Sequence, residues 1–253
     1  MEQKSIRQIR EILQAAKTRE LPDFIRTYGQ DERAGVASLV DLAQKRLSGY
    51  EKELERTKRM KVYEREYECL GLICGIDEVG RGPLAGPVVA GAVILPKDCD
   101  ILYLNDSKQL SEKKREELFE VIMEKAVSTG LGFVTPQKID EINILQATYE
   151  AMREAISGLT PQPDVLLNDA VTIPGVKIRQ IPIIKGDAKS VSIAAASIIA
   201  KVTRDRLMVE YDQMFPEYGF ASNKGYGAAA HIEALRKYGP TPIHRKSFIK
   251  NLI

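Results

Sequence analysis

The stretch Leu72-Ile73-Cys74-Gly75-Ile76-Asp77-Glu78-Val79-Gly80-Arg81-Gly82 carries an apolar run into two consecutive carboxylates and then into a glycine-rich turn. A second apolar run, Pro87-Val88-Val89-Ala90-Gly91-Ala92-Val93-Ile94-Leu95, follows that turn, which spans Gly80 to Gly86. Short runs of this composition bounded by glycine read as strands. So short a connection suits an antiparallel hairpin, because a parallel crossover needs about a dozen residues or more.

Outward from the hairpin, strands and helices alternate. Helices are expected at 111–128, opening on Ser111, and at 143–158, opening on Asn143, two residue types that cap helix N-termini. Strands are expected at 131–134, 165–171 and 177–184. A long helix over about 188–215 follows, and its Ala194-Ala195-Ala196-Ser197 and Ala200 would let it lie close against a sheet. After a loop at 218–227 comes a helix at 228–238, then a basic tail with His244, Arg245, Lys246 and Lys250. The alternation predicts an α/β domain over 71–253, with a mixed central sheet flanked by helices and a helical C-terminal region. Residues 1–70 lack strand-like runs. Ile6, Ile9 and Leu13, then Val36, Leu39, Val40, Leu42, Ala43 and Leu47, recur at helical spacing, which predicts a small all-helical N-terminal extension. Gln44 to Glu68 is dense in Lys, Arg and Glu and reads as a solvated helical face, with a nucleic-acid arm as the alternative.

Composition narrows the function classes. With 253 residues, 44% hydrophobic and 28% charged, the chain is globular in character and long enough for a substantial core. The formal charge of +2 neither supports nor excludes a polyanionic substrate, since a carboxylate-rich metal site would offset basic contact surface. Cys69, Cys74 and Cys99 form no C-x-x-C pair, so reduced, buried thiols are expected rather than zinc or disulfides. The charged start, Met1 to Arg7, and the absence of any run of about 18 apolar residues point to a cytoplasmic protein.

Four carboxylates fall where chemistry could use them. Asp77 and Glu78 end one apolar strand beside a turn rich in backbone donors, although strand neighbours point to opposite faces and the pair could equally cap a turn. Asp169 ends a second apolar strand and is either a turn former or a partner of Asp77 if the strands are neighbours. Asp187 precedes the long helix, where taken alone it reads better as an N-cap. Carboxylates at the ends of adjacent elements suit Mg2+ or Mn2+, and two such ions suit an in-line phosphoryl displacement.

These residues carry a family resemblance. Gly75 to Val89, with Asn105 to Ser111, Leu166 to Ala170, Lys185 to Ser190, Ala195 to Asp205 and Asn223 to Gly227, resembles type 2 ribonuclease H, the ribonuclease HII family, in its bacterial form with an N-terminal helical extension. The likeness covers about Gly71 to Phe248 and implies a ribonuclease H-like fold. It implies that Asp77, Glu78, Asp169 and Asp187 are catalytic and bind two Mg2+ or Mn2+ ions. It further implies that Gly80, Arg81 and Gly82 contact the 2′-OH and phosphate at a ribonucleotide, with Tyr226 against the ribose at the RNA-to-DNA junction. Without the resemblance, Tyr226 would be one of ten tyrosines. The implied substrates are RNA/DNA hybrids and duplex DNA carrying ribonucleotides, cut by a monomer with 3′-hydroxyl and 5′-phosphate products. Arg81 stands where type 3 enzymes usually carry lysine, although a type 3-like activity or a non-catalytic hybrid-binding module remain alternatives. Asn168, where an apolar residue is usual, and Ala228, where threonine is common, depart from the pattern. Lys108, Lys189, Lys185, Lys201 and Arg204 are candidate phosphate contacts. The two histidines, His231 and His244, are candidates for a substrate or product-release role.

Overall fold

The computed structural model describes residues 4–253, which divide between Arg59 and Met60 into two compact units. The first contains helices α1 (Ile6–Ala15), α2 (Leu21–Tyr28) and all but the last residue of α3 (Ala34–Met60). A capping box starts α1, with the Gln8 amide donating to Ser5 Oγ at 3.3 Å and the Ser5 amide to Gln8 Oε1 at 2.8 Å. Ile9, Leu13, Leu21, Phe24, Val36, Leu39, Val40 and Ala43 make its core, so the helical spacing of the apolar residues is realised. Leu42, expected on that face, is instead 49% exposed.

The second unit begins with α4 (Val62–Tyr67) and is built on a five-stranded sheet in the order β3-β2-β1-β4-β5, with β1 Ile73–Val79, β2 Val88–Ile94, β3 Ser128–Val134, β4 Val165–Asp169 and β5 Arg179–Ile183. β1 and β2 form the expected antiparallel hairpin, while β4 and β5 run parallel to β1. The helices are α5 (Glu112–Lys125), α6 (Pro136–Ser157), α7 (Val191–Met214), α8 (Phe220–Asn223), α9 (Ala229–Tyr238) and α10 (Lys246–Ile249). One face of the sheet packs Cys74, Ile76, Val88, Ala90, Ala92 and Leu166 against Ala147, Ala151 and Met152 of α6. The other packs Val93 against Ala194, Ala195 and Ile198 of α7, joined by Leu118 and Ile122 of α5. β2 is buried along its whole length because both faces are covered.

Several local expectations are corrected by tertiary contacts. The helix read at 111–128 stops at Lys125, and the strand read at 131–134 starts earlier, at Ser128, because all seven of its residues pair with β2. Asn143 caps as expected, accepting from the amides of Leu145 and Gln146 at 3.0 and 3.1 Å, but a helical segment from Pro136 precedes it. α4 is not a solvated face: Tyr63 and Tyr67 pack beside Val165, Leu167 and Ile193. Glu64 Oε1 accepts from the Ser190 hydroxyl at 2.5 Å and the Ser192 amide at 3.0 Å. All three cysteines are free, and Cys69 is exposed rather than buried. Gly75 explains how closely α7 lies on the sheet, since a Cβ there would collide with the backbone of Ser192 and Ile193.

Candidate active site

The core assignments settle which way the acids face. Cys74 and Ile76 point toward α6, so by strand alternation Gly75 and Asp77 point toward α7. Leu166 points toward α6 while Leu167 packs with Ile193 of α7, so Asp169 also faces α7. The parallel register pairs Ile76 with Asn168, and Asp77 and Asp169 follow that pair on adjacent strands. Glu78 leaves the opposite face of β1, where its Oε1 lies 3.3 Å from the Arg81 guanidinium. Asp169 Oδ1 accepts the Gly186 amide at 2.7 Å, tying β4 to the short 3₁₀ turn Gly186–Ala188 that contains Asp187. Asp187 is not the cap of the long helix: Ser190 is, accepting from Ile193 at 3.2 Å. Ala170 and Lys185, flanking this junction, adopt left-handed backbone with φ of 56° and 58°, a conformation that non-glycine residues adopt at a cost.

Electrostatics mark the cluster. Asp77 is 7% exposed, and its pKa is raised well above the usual carboxylate value by burial and then by the charges of Glu78 and Asp169, against a hydrogen bond from Ser197. Burial also raises Glu78, with Arg81 pulling the other way. Asp187 is raised by burial and by Asp106 and Asp169. A groove of about 470 Å³ lies beside them, lined by Asp106, Gln109, Asp169, Lys185 and Asp187. Among the described residues no three His, Cys, Asp or Glu side chains gather at coordination distance of one point. The donor set still fits a hard divalent cation, being carboxylate oxygens only, and mutual repulsion is what a cation between them would offset.

Of the candidate basic contacts, Lys108 and Lys189 are exposed, and the Lys108 charge acts on both Glu78 and Asp187. Lys201 instead pairs with Asp205 at 2.8 Å. Arg204 is wholly buried and cannot meet a phosphate: it donates to the carbonyls of Pro87, Lys224 and Ala85 at 2.9, 2.9 and 3.0 Å. Arg245, also wholly buried, donates to the carbonyls of Gly80, Arg81 and Gly86 at 2.5, 3.0 and 2.8 Å. These two guanidinium groups hold the Gly80–Gly86 turn from within. Gly80 has φ of 92°, and a Cβ on it would lie 2.8 Å from Arg204 Cδ, so only glycine serves. The outer side of the turn faces Tyr226, 43% exposed, whose Cε1 stands 3.8 Å from where a Gly82 Cβ would be.

Asn168 is fully buried, with Nδ2 donating to the carbonyl of Val171 at 3.1 Å and to Gln180 Oε1 at 2.8 Å, so the strand stays in register beside Asp169. Sequence reasoning gave no role to Asp106, Ser107 or Ser197. The Ser107 and Ser197 hydroxyls lie 2.9 Å apart, linking the turn before α5 to the helix beside Asp77. A buried serine among alanines in α7 was the available signal.

The chain is similar to known proteins along most of its length. A family model described as ribonuclease HII matches residues 74–251, and one described as the ribonuclease HII N-terminal domain matches residues 5–68. The chain is 67% identical over 225 residues, 89% of either chain, to a ribonuclease HII of Lachnoclostridium phytofermentans. It is 54% identical over 255 positions, 100% of both chains, to one of Clostridioides difficile. The ribonuclease H2 structure from Pyrococcus horikoshii superposes with a TM-score of 0.61 at 31% identity, covering 72% of this chain and 96% of that one.

Proposed function

The chain belongs to the ribonuclease HII family, and from that premise we propose that it hydrolyses the phosphodiester 5′ to ribonucleotides, in RNA/DNA hybrids and at single ribonucleotides embedded in duplex DNA, leaving 3′-hydroxyl and 5′-phosphate ends. The observation that carries this reading is the side-by-side placement of Asp77 and Asp169 on the α7 face, with a glycine turn backed onto Tyr226 beside them. Such a site joins a charge centre for the phosphate to a surface that meets the sugar.

Asp77, Glu78, Asp169 and Asp187 would hold two divalent ions, Mg2+ or Mn2+, which when bound supply Lewis-acid stabilisation of the phosphate and an activated water. The chain's own residues do the positioning. Asp169 is oriented by the Gly186 amide, and the Ser197 hydroxyl stands beside Asp77. Gly80 and Gly82 let backbone groups approach the 2′-OH, the group that distinguishes RNA from DNA, and the Tyr226 ring lies where a ribose would rest. Arg81, exposed and loosely paired with Glu78, is free to turn to a phosphate. Its bidentate fork favours this reading over type 3-like action on long hybrids. Lys108 and Lys189 would neutralise flanking phosphates. The site of action is the cytoplasm, during removal of ribonucleotides in DNA replication and repair, and the acting species is a monomer. No described helix is long and apolar enough to cross a membrane.

Asp77→Asn tests the assignment. It should abolish cutting of a duplex with one ribonucleotide in Mg2+ or Mn2+, with hybrid binding retained; undiminished cutting sinks it. Tight binding by the wild-type chain without any metal-dependent cleavage would establish the non-catalytic alternative instead.

A further inference from the structure

The two histidines have no part in the chemistry above, yet His231 is fully buried and His244 is 3% exposed. The Tyr218 and Phe220 rings enclose them, with centroids 5.1 and 5.7 Å from that of His244. Their nitrogens form a hydrogen-bond chain whose direction is dictated from both ends. At one end both the Thr241 amide and the Thr241 hydroxyl meet His244 Nδ1, at 3.0 and 2.8 Å; the hydroxyl can take either role but a backbone amide only donates, so that nitrogen carries a lone pair. At the other end His231 Nδ1 lies 2.8 Å from the Tyr226 carbonyl oxygen, which only accepts, so that nitrogen carries the proton. Between them the two Nε2 atoms are 2.9 Å apart. In neutral rings His244 Nε2 must then donate and His231 Nε2 accept, and the deductions from opposite ends agree. A further proton on either ring would set two N–H groups face to face. Burial disfavours that proton, lowering the pKa of His231 and holding His244, also facing His231, at about 4.

The chain ends on Tyr226, whose carbonyl also accepts the Ala228 amide at 2.8 Å. Its other end is the residue before Arg245, which grips Gly80, Arg81 and Gly86. The segment carrying both is fixed to the turn by the Arg245 amide on the Leu84 carbonyl and the Gly86 amide on the Ile243 carbonyl, at 2.8 and 2.9 Å. Two consecutive side chains, His244 and Arg245, thus reach the two parts of the proposed sugar-reading surface.

We propose that His231 and His244 are positioning residues which, with Arg245, set the spacing between Tyr226 and the Gly80–Gly82 turn and so determine discrimination of a single ribonucleotide. This rests on the reading of those two parts as the surface that tests the sugar.

Two variants of the full chain separate the roles of the ring nitrogens. His231→Asn keeps an N–H near the Nδ1 position, facing Tyr226, whereas His231→Gln keeps polar atoms only near Nε2. The readout is kcat/KM on a duplex with one ribonucleotide divided by kcat/KM on a long RNA/DNA hybrid. For His231→Gln this ratio should fall roughly three- to tenfold, the value of one lost hydrogen bond, with hybrid cutting retained, while His231→Asn stays near wild type. Equal ratios in the two variants would overturn the proposal. If neither variant folds, nitrogen NMR of the wild-type protein decides: protons on His231 Nδ1 and His244 Nε2 support the chain, and the opposite tautomers overturn it. Failure of the wild-type protein to cut the single-ribonucleotide duplex would be recognisable separately, as failure of the underlying function.

Discussion

Burial fixes the charge state of individual side chains here, and that has a measurable consequence at His244. Folded, it titrates near pH 4, whereas in an unfolded chain it would titrate near about 6.5. Between those values the unfolded state binds more protons, so acid favours unfolding. The stability is fully present above about pH 6.5 and declines toward pH 4, with about 2 kcal/mol lost by pH 5 from this one group. The Tm of the wild-type protein should therefore fall more between pH 7 and pH 5 than that of His244→Gln; parallel declines would show that His244 does not titrate in this window. At Tyr226 the expectation is kinetic. Tyr226→Ala should depress cutting at a single ribonucleotide more than cutting of a long hybrid, because a long hybrid offers many registers of binding. Equal losses on the two substrates would remove the tyrosine from recognition. The acid residues were legible by type and by their place at strand ends. Which ones share a face was not, because facing depends on which helix covers which side of the sheet.

Local signals located most elements, and they failed where a neighbouring element supplied the missing information. The β1–β2 hairpin followed from connection length alone. The start of β3 did not, because Ser128 to Gly130 are strand residues only through pairing with Val93, Ala92 and Ile94. Asp187 resembles an N-cap in sequence, but the helix begins later, at Val191, once Ser190 and Glu64 satisfy its first amides. Several helix starts lack a side-chain cap, and that of α9 is one where a single substitution could supply it. Ala228 occupies the N-cap of α9 with extended backbone and no side-chain hydrogen bond to offer. Ala228→Ser or Ala228→Thr should therefore stabilise the protein by about 1 kcal/mol, visible as a Tm rise of a few degrees. No rise would mean that the first amides of α9 are already satisfied. The opposite change is expected at Gly75, where Gly75→Ala would push α7 off β1 and cost about 1–3 kcal/mol.

At the scale of the whole molecule the site is a set of like charges held together by a fold that owes its stability to other contacts. The sheet core between α6 and α7 is mostly apolar, with Asn168, Thr148, Ser192 and Ser197 buried within it, while the acids sit at its end. A divalent ion that binds the folded state and not the unfolded one must stabilise by mass action. Adding Mn2+ should raise the Tm of the wild-type protein and raise that of Asp169→Asn much less; identical rises would place metal binding elsewhere. The sequence by itself determined the α/β class, the hairpin, the helical N-terminal segment and the identities of the acids, because apolar periodicity, turn chemistry and a long specific signature are written locally. The tertiary structure alone decided that Asp77 and Asp169 are neighbours on the α7 face. It also decided that Arg204 serves carbonyls rather than phosphates, and that His231, His244 and Arg245 converge on the turn and on Tyr226. Each depends on partners distant in sequence, Arg245 and Gly80 among them, and no local pattern encodes which buried donor will meet which carbonyl.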